Sequence, residues 1–316
     1  MVEVSIIIPV FNVEKYVEDS LLSALNQDFK DIEYIIVDDC GTDNSMNIVN
    51  NIIASFPQRK IKVIKHLSNK GLSEARNTGL KESSGKYVFF MDSDDTITLN
   101  CISKHYASLQ KNNADFTVAN INLEGAKSIH IKPIVKTIEN LTPIKSFLLR
   151  KWNTSAGNKL YKKIFITNNN IRFIPNIYFE DILWSFNTAL YAKRISIVED
   201  YTYNYKIHNN SITTQRNNSK KIESLIYVLN YLLRNQNKID EIDKSVFNKY
   251  INFWRLNTAM LLLQFNGSYE EQCKYYKIVK QLKYHNDYDL YNSILKLPYF
   301  MFKILINPLY ILYKKK

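Results

Sequence analysis

Short apolar runs alternate with amphipathic stretches through the first hundred residues, and no other feature of the chain constrains its fold as strongly. Val4–Val10 is almost continuously apolar and is closed by Pro9 and Asn12, the pattern of a strand covered on both faces. Val13, Val17, Leu21 and Leu25 then recur every four residues, which predicts a helix over 13–27 with one apolar stripe. Residues 34–37 predict a second strand running into Asp38 and Asp39 and the turn Cys40-Gly41-Thr42-Asp43. Residues 42–45 can cap a helix carrying Met46, Val49, Ile53 and Phe56. A strand over 61–64, a helix over 71–81 and a strand over 87–91 continue the series. Strand–helix alternation at this spacing predicts an α/β fold, a parallel sheet with helices on both faces.

That topology gathers acids. Asp38 and Asp39 fall at the C-terminal end of the second strand, and Asp92, Asp94 and Asp95 at the end of the fourth. In an open parallel sheet these ends share the edge where ligands bind. Either group alone could be a set of helix caps, but carboxylates collected on one edge repel unless a cation or hydrogen-bond donors lie among them. The few glycines form neither GxGxxG nor GxxxxGK[ST], so a dinucleotide-binding turn and a P-loop are both excluded. Phosphates at this edge would need basic side chains and a hard cation, Mg²⁺ or Mn²⁺.

Further motifs resemble a known family. Val4-Ser5-Ile6-Ile7-Ile8-Pro9-Val10-Phe11-Asn12, Ile35-Ile36-Val37-Asp38-Asp39, Ala75-Arg76-Asn77 with Gly79, and Phe90-Met91-Asp92-Ser93-Asp94-Asp95 follow in the order and spacing of the family 2 glycosyltransferases of GT-A fold. Asn158-Lys159-Leu160-Tyr161-Lys162-Lys163 resembles the segment before that family's acceptor site. Phe179-Glu180-Asp181 with Trp184 resembles its catalytic acidic pair, and Tyr205-Lys206-Ile207-His208 with Ser211-Ile212-Thr213 its closing segment. The resemblance covers residues 2–215.

It implies a Rossmann-like nucleotide-sugar-binding half over 1–120, an acceptor-binding half over 121–215, and a helical, basic region over 216–316 outside the resemblance. It also implies roles. Phe11 stacks on the donor base, Pro9 lines that pocket, and Asp39, beside Asp38, accepts the base N–H, which an acceptor-only carboxylate suits for uracil. Arg76 contacts the diphosphate as a forked cation. Asp92-Ser93-Asp94 binds the donor ribose and a divalent metal, Asp94 or Asp95 being the direct ligand and His208 a further one. Asp181, or Glu180 in its place, is the base that activates an acceptor hydroxyl. The function implied is inverting transfer from a UDP-sugar to a glycan or lipid-linked oligosaccharide; the alternative is an inactive sugar-nucleotide-binding or scaffold module.

Charge is unevenly spread. Residues 1–100 hold 10 Lys and Arg against 15 Asp and Glu, a net of −5, leaving the remainder with 32 against 15, a net of +17. A basic excess suits an anionic membrane surface or nucleic acid, and the acidic edge argues against nucleic acid. Residues 297–313 are aromatic and aliphatic, with Lys303 inside and Lys314-Lys315-Lys316 behind. Pro298, Pro308, Asn307 and Lys303, and the short length, argue against a spanning helix. The stretch is expected to lie in the bilayer interface with its lysines near anionic head groups, the alternative being a last helix docked on the domain. Three scattered cysteines and no signal-peptide pattern suit the cytoplasm, at the inner face of the membrane.

Overall fold

The computed structural model describes residues 2–125, 140–207, 219–283 and 290–314. They fall into two units, one made of residues 1–176 with 180–207, the other of residues 177–179 with 208–316.

The first unit is built on an eight-stranded sheet in the order β3-β2-β1-β4-β7-β6-β8-β5. Strands β1 (Val4–Val10), β2 (Ile32–Asp38), β3 (Lys60–Lys65) and β4 (Tyr87–Phe90) are mutually parallel. They are joined by helices α1 (Val17–Leu25), α2 (Ser45–Ala54) and α3 (Leu72–Glu82). Every residue of β1 is buried, as a strand covered on both faces must be. Val17, Leu21 and Leu25 of the expected stripe are buried against this sheet. The first helix is shorter than the periodicity predicts, because Tyr16 and Val17 close a turn on the Val13 carbonyl before the helix begins.

The sheet is mixed rather than wholly parallel. After β5 (Thr96–Ile97) and α4 (Cys101–Asn112), the chain lays down β6 (Phe116–Glu124), α5 (Pro143–Leu148), β7 (Leu160–Lys162) and α6 (Lys163–Asn168). Helix α7 (Glu180–Tyr191) and β8 (Ile195–Lys206) complete the unit. β7 lies antiparallel to β4, with Leu160 opposite Phe89 and Lys162 opposite Tyr87. The chain thus reaches β7 from the edge where β4 ends, without the crossover helix that a parallel neighbour requires. β6 and β8 pair in parallel with shifts around Asn120.

The second unit consists of helices α8 (Ser219–Arg234), α9 (Lys244–Leu261), α10 (Tyr269–Gln281), α11 (Leu290–Leu295) and α12 (Tyr299–Lys314). Ile222, Leu225, Leu229 and Leu232, spaced as one stripe of a helix, are all buried. Ile222 packs with Ala259, Leu262, Val279, Leu295 and Phe302 in a separate core. Ser268 and Glu271 form a reciprocal capping box at the start of α10. Among the described residues no helix is long and apolar enough to cross a membrane.

Candidate functional site

The parallel register places the C-terminal ends of β1, β2 and β4 on one edge, with Val10 opposite Asp38 and Ile7 opposite Phe90. Phe11 follows β1 directly and is 44% exposed, unusual for a large aromatic beside a buried strand. Pro9 is buried within β1 opposite Val37. Asp38 closes an Asx turn by accepting the Cys40 N–H at 3.0 Å.

Asp39 is buried and heavily engaged. Its carboxylate accepts the Lys70 N–H and the Gly71 N–H, both at 2.8 Å, and His66 Nδ1 lies 2.6 Å away, donating to it. His66 Nε2 is 2.9 Å from Thr78 Oγ1. A carboxylate offers about four acceptor positions, so one remains for a ligand. Gly71, with φ of 85°, is the N-cap of α3, a conformation that glycine adopts without strain. Asp39 therefore fixes the start of α3. Farther along, Gly79 lets this helix press onto β1, since a Cβ there would sit 2.3 Å from Ile7 Cγ2.

This close packing carries Arg76 into the centre of the site. Arg76 is 1% exposed and stands over the Phe173 ring at 5.1 Å. Nη2 donates to Asp92 Oδ1 at 2.7 Å, and Nη1 donates to Glu180 Oε1 and Asp181 Oδ1, both at 3.0 Å. One guanidinium thus joins an acid from the end of β4 to the acidic pair that opens α7, far later in the chain. Behind it Phe173 stacks on Trp184 at 4.0 Å, and Trp184 donates its indole N–H to the Tyr161 hydroxyl at 3.0 Å.

Arg76 faces three carboxylates, and their protonation equilibria are displaced accordingly. Burial pushes Glu180 up to about 7, helped by Asp181 and opposed by Arg76. Burial also raises Asp181, against the pull of Arg76. Arg76 itself is held more firmly charged, because Asp92, Asp181 and Glu180 outweigh its desolvation. The first turn of α7 also places the acidic pair at the positive end of a helix dipole.

Asp95 is 1% exposed, accepts the Lys206 N–H at 2.9 Å and receives the Tyr203 hydroxyl. Tyr203 in turn accepts the Asp92 N–H at 3.2 Å. Burial pushes Asp95 up to about 8, with Asp92 and Asp94 adding to it. Ser93 is buried and Asp94 half-buried beside it. Among the described residues no cluster of three or more His, Cys, Asp or Glu side chains could hold a metal unaided. The Asp94–Asp95 end offers hard oxygen donors among mutually repelling carboxyl groups, which fit Mg²⁺ or Mn²⁺ when a diphosphate supplies further oxygens. His208 lies outside the described residues, as do Ser211, Ile212 and Thr213.

The structure thus brings Arg76, Asp92, Glu180 and Asp181 together, and sets Asp39 with its loop at the base of α3. It also adds residues to which the sequence motifs assign no role. His66 follows the third parallel strand, a position on the same edge that the alternation already implies. Lys159 is 2% exposed and near Asp181, and its signal is a lysine leading into the apolar pair Leu160-Tyr161.

An open α/β sheet that gathers acids, an exposed aromatic and a buried arginine on one edge belongs to the class of folds that bind ligands at the carboxyl ends of their strands. Residues 5–183 match the description of glycosyl transferase family 2, and the chain belongs to that family. It is 28% identical over 268 residues to the poly(ribitol-phosphate) beta-N-acetylglucosaminyltransferase TarS of Staphylococcus aureus, covering 81% of this chain and 46% of TarS. The chain thus spans about half the length of that curated relative. Its fold matches the crystal structure of TarS 1–349 in complex with UDP-GlcNAc, with a TM-score of 0.74, 23% identity, and coverage of 89% and 80%. It also matches the mannosyltransferase PcManGT of Pyrobaculum calidifontis in complex with GDP-Man and Mn²⁺, with a TM-score of 0.58, 13% identity, and coverage of 96% and 83%.

Proposed function

We propose that this chain transfers a sugar from a UDP-sugar to a hydroxyl of a glycan or lipid-linked oligosaccharide in surface-polysaccharide synthesis, inverting the anomeric carbon. The observation that carries the reading is the Arg76 junction, which holds Asp92 and the Glu180–Asp181 pair around one cation. Residues 1–120 serve the donor and residues 121–215 the acceptor.

Phe11 stacks on the uracil ring, Pro9 backs the pocket, and Asp39 takes the imide N–H on its remaining acceptor position, with Asp38 alongside. Asp92 and Ser93 hold the ribose. Asp94, with Asp95, would hold the divalent cation, and the family resemblance gives His208 a part in the same ligand set. When bound, this cation supplies Lewis-acid neutralisation of the departing diphosphate. Arg76 orients both acidic groups and, as the forked cation of the donor site, contributes positive charge to the departing diphosphate.

Asp181 takes the proton of the acceptor hydroxyl as the new C–O bond forms and the bond from the anomeric carbon to the diphosphate breaks. Glu180, its pKa lifted to about 7, carries a proton for part of the time at neutral pH and so relieves the repulsion on Asp181. A single displacement of this kind inverts the anomeric centre. Phe300, Met301, Ile304 and Leu305 are exposed along α12, with Lys303 among them. This supports contact with anionic lipid at the inner face of the membrane, where lipid-linked acceptors reside.

Calorimetric titration with UDP-, GDP-, TDP- and CMP-sugars, each with Mn²⁺ and with EDTA, tests the donor site. Metal-dependent binding of one UDP-sugar is expected. A folded protein that binds none of them would turn the reading toward an inactive scaffold.

A further inference from the structure

Resting on that reading of Asp181, a second residue acquires a role. The loop between α5 and β7 passes beside the α7 acids. Its central residue, Ala156, is completely buried and gives its N–H to the Asp181 carboxyl. The Ala156 carbonyl accepts the Tyr161 hydroxyl at 3.4 Å. On either side the loop is tied again. Lys159 Nζ donates to the Ser155 carbonyl and, at 3.5 Å, to the Gly157 carbonyl, and stands over the Trp152 ring at 5.4 Å. Ser185 of α7 donates to the Thr154 carbonyl at 2.6 Å. Gly157 bridges Phe90 at the end of β4 and packs on Tyr203, where a Cβ would lie 3.1 Å from the hydroxyl.

We infer that Lys159 is a positioning residue for the base: by holding the carbonyls on both sides of Ala156, it fixes the N–H that aims the Asp181 carboxylate at the acceptor. A buried ammonium is costly unless its donors are used, and a hydrophobic side chain of the same length would have packed between Trp152 and β7 at less cost. Burial pushes Lys159 down to about 7, against the pull of Asp181, so the fold keeps this amine in place in spite of its desolvation. The groups facing Asp181 are Arg76 from α3, Asp92 after β4, Glu180 on its own helix, Tyr161 of β7 and Lys159 from this loop. Of these, Lys159 alone donates to the carbonyls on both sides of Ala156.

The test compares K159M and K159R with D181N, reading UDP affinity by calorimetry, UDP release from the donor selected by the panel above, and melting temperature. K159M is expected to lower kcat roughly 30-fold, within the range general-base alignment supplies. UDP affinity should stay within about twofold, and K159R, which can still donate to both carbonyls, should recover most of the loss. Turnover of K159M within twofold of wild type, or equal loss of UDP affinity and turnover, overturns the inference. If K159M does not fold, K159Q is read by the same criteria, and failure of all three variants to fold makes Lys159 a folding residue and overturns it too. D181N separates the two levels. Loss of turnover in D181N with a silent K159M sinks the positioning role alone, whereas full turnover in D181N sinks the base assignment and the inference with it.

Discussion

Among the described residues each unit buries one arginine to about 1% exposure, and the two are used differently. Arg255 of α9 donates to the Val279 and Lys280 carbonyls at 3.1 and 2.7 Å, and to the Asn252 and Asn292 side-chain oxygens at 2.7 and 3.2 Å. It ties neighbouring helices together within the second unit. Arg76 gives its donors to three carboxylates, and its Nε is buried without a hydrogen-bond partner. Arg255 satisfies backbone and amide groups, which is a stability role. Arg76 sits in an imbalance of charge that the fold leaves in place, and such imbalance concentrates at functional sites.

The two arginines can be separated experimentally, and this is the largest expected effect. R76M leaves three carboxylates together without their cation. It should cost about 3–5 kcal/mol of stability, as breaking a buried ion pair does, and remove turnover altogether. R255M strands carbonyl and amide acceptors at about 1–3 kcal/mol each, lowering the melting temperature while the folded fraction keeps its turnover. Urea denaturation and UDP release, measured on both variants, decide the matter. An R255M protein that is stable yet inactive would erase the contrast.

D181N comes next. The amide introduced by D181N keeps the shape of the side chain but cannot take a proton, so turnover should fall by roughly 10²–10⁴, the usual worth of a general base. Stability should hold or rise, because one of three crowded negative charges is gone. UDP binding should be retained. Turnover above a tenth of wild type would move the base to Glu180.

The contrast between units also explains what the sequence could tell. The ligand edge is legible because each of its acids follows a strand, and strand ends are marked by a change from apolar to polar residues, as at Val37-Asp38 and Met91-Asp92. The pairing of Arg76 with Glu180 and Asp181 is not, since it depends on the packing of α3 on β1 through Gly79 and on the later placement of α7. The motifs alone therefore assign the Arg76 fork to diphosphate, whereas the structure engages it with carboxylates. The antiparallel placement of β7 is equally hidden, for so short a strand carries no periodicity. In the second unit, stripes such as Ile222, Leu225 and Leu229 announce helices, but nothing distinguishes Arg255 from the many cations around it in the sequence.

A smaller effect concerns pH. Glu180 is lifted from its ordinary 4.5 to about 7, first by burial and then by Asp181. The folded state then binds this proton more tightly than the unfolded chain, so stability should decline as pH rises from about 4.5 through about 7. Turnover should rise with pH as Asp181, raised by burial, gives up its proton and becomes available as a base. Opposite slopes for urea stability and for turnover are the expected outcome in EDTA and in Mn²⁺ respectively. E180Q should flatten the stability slope and shift the rise in turnover to lower pH, since Asp181 loses a like-charged neighbour. Unchanged slopes in E180Q would assign the titration to another group.

The smallest effects belong to the exposed apolar side chains, which again divide by unit. Phe11 stands exposed at the ligand edge, and the proposed stacking on a base would be worth about 1–3 kcal/mol. F11A should therefore weaken UDP affinity on the order of tenfold while leaving vesicle binding alone. Ile304 and Leu305 are exposed on α12 in the second unit. Replacing both with serine removes apolar area that would be only partly buried in an interface, so flotation with anionic phosphatidylglycerol vesicles should fall roughly threefold to tenfold. UDP affinity should not change. Raising salt should weaken flotation of the wild type as well, because the lysines around this helix act within a Debye length of about 8–10 Å. If the serine variant floats like the wild type, the membrane role of α12 fails, and the basic charge of the back half must serve the acceptor instead.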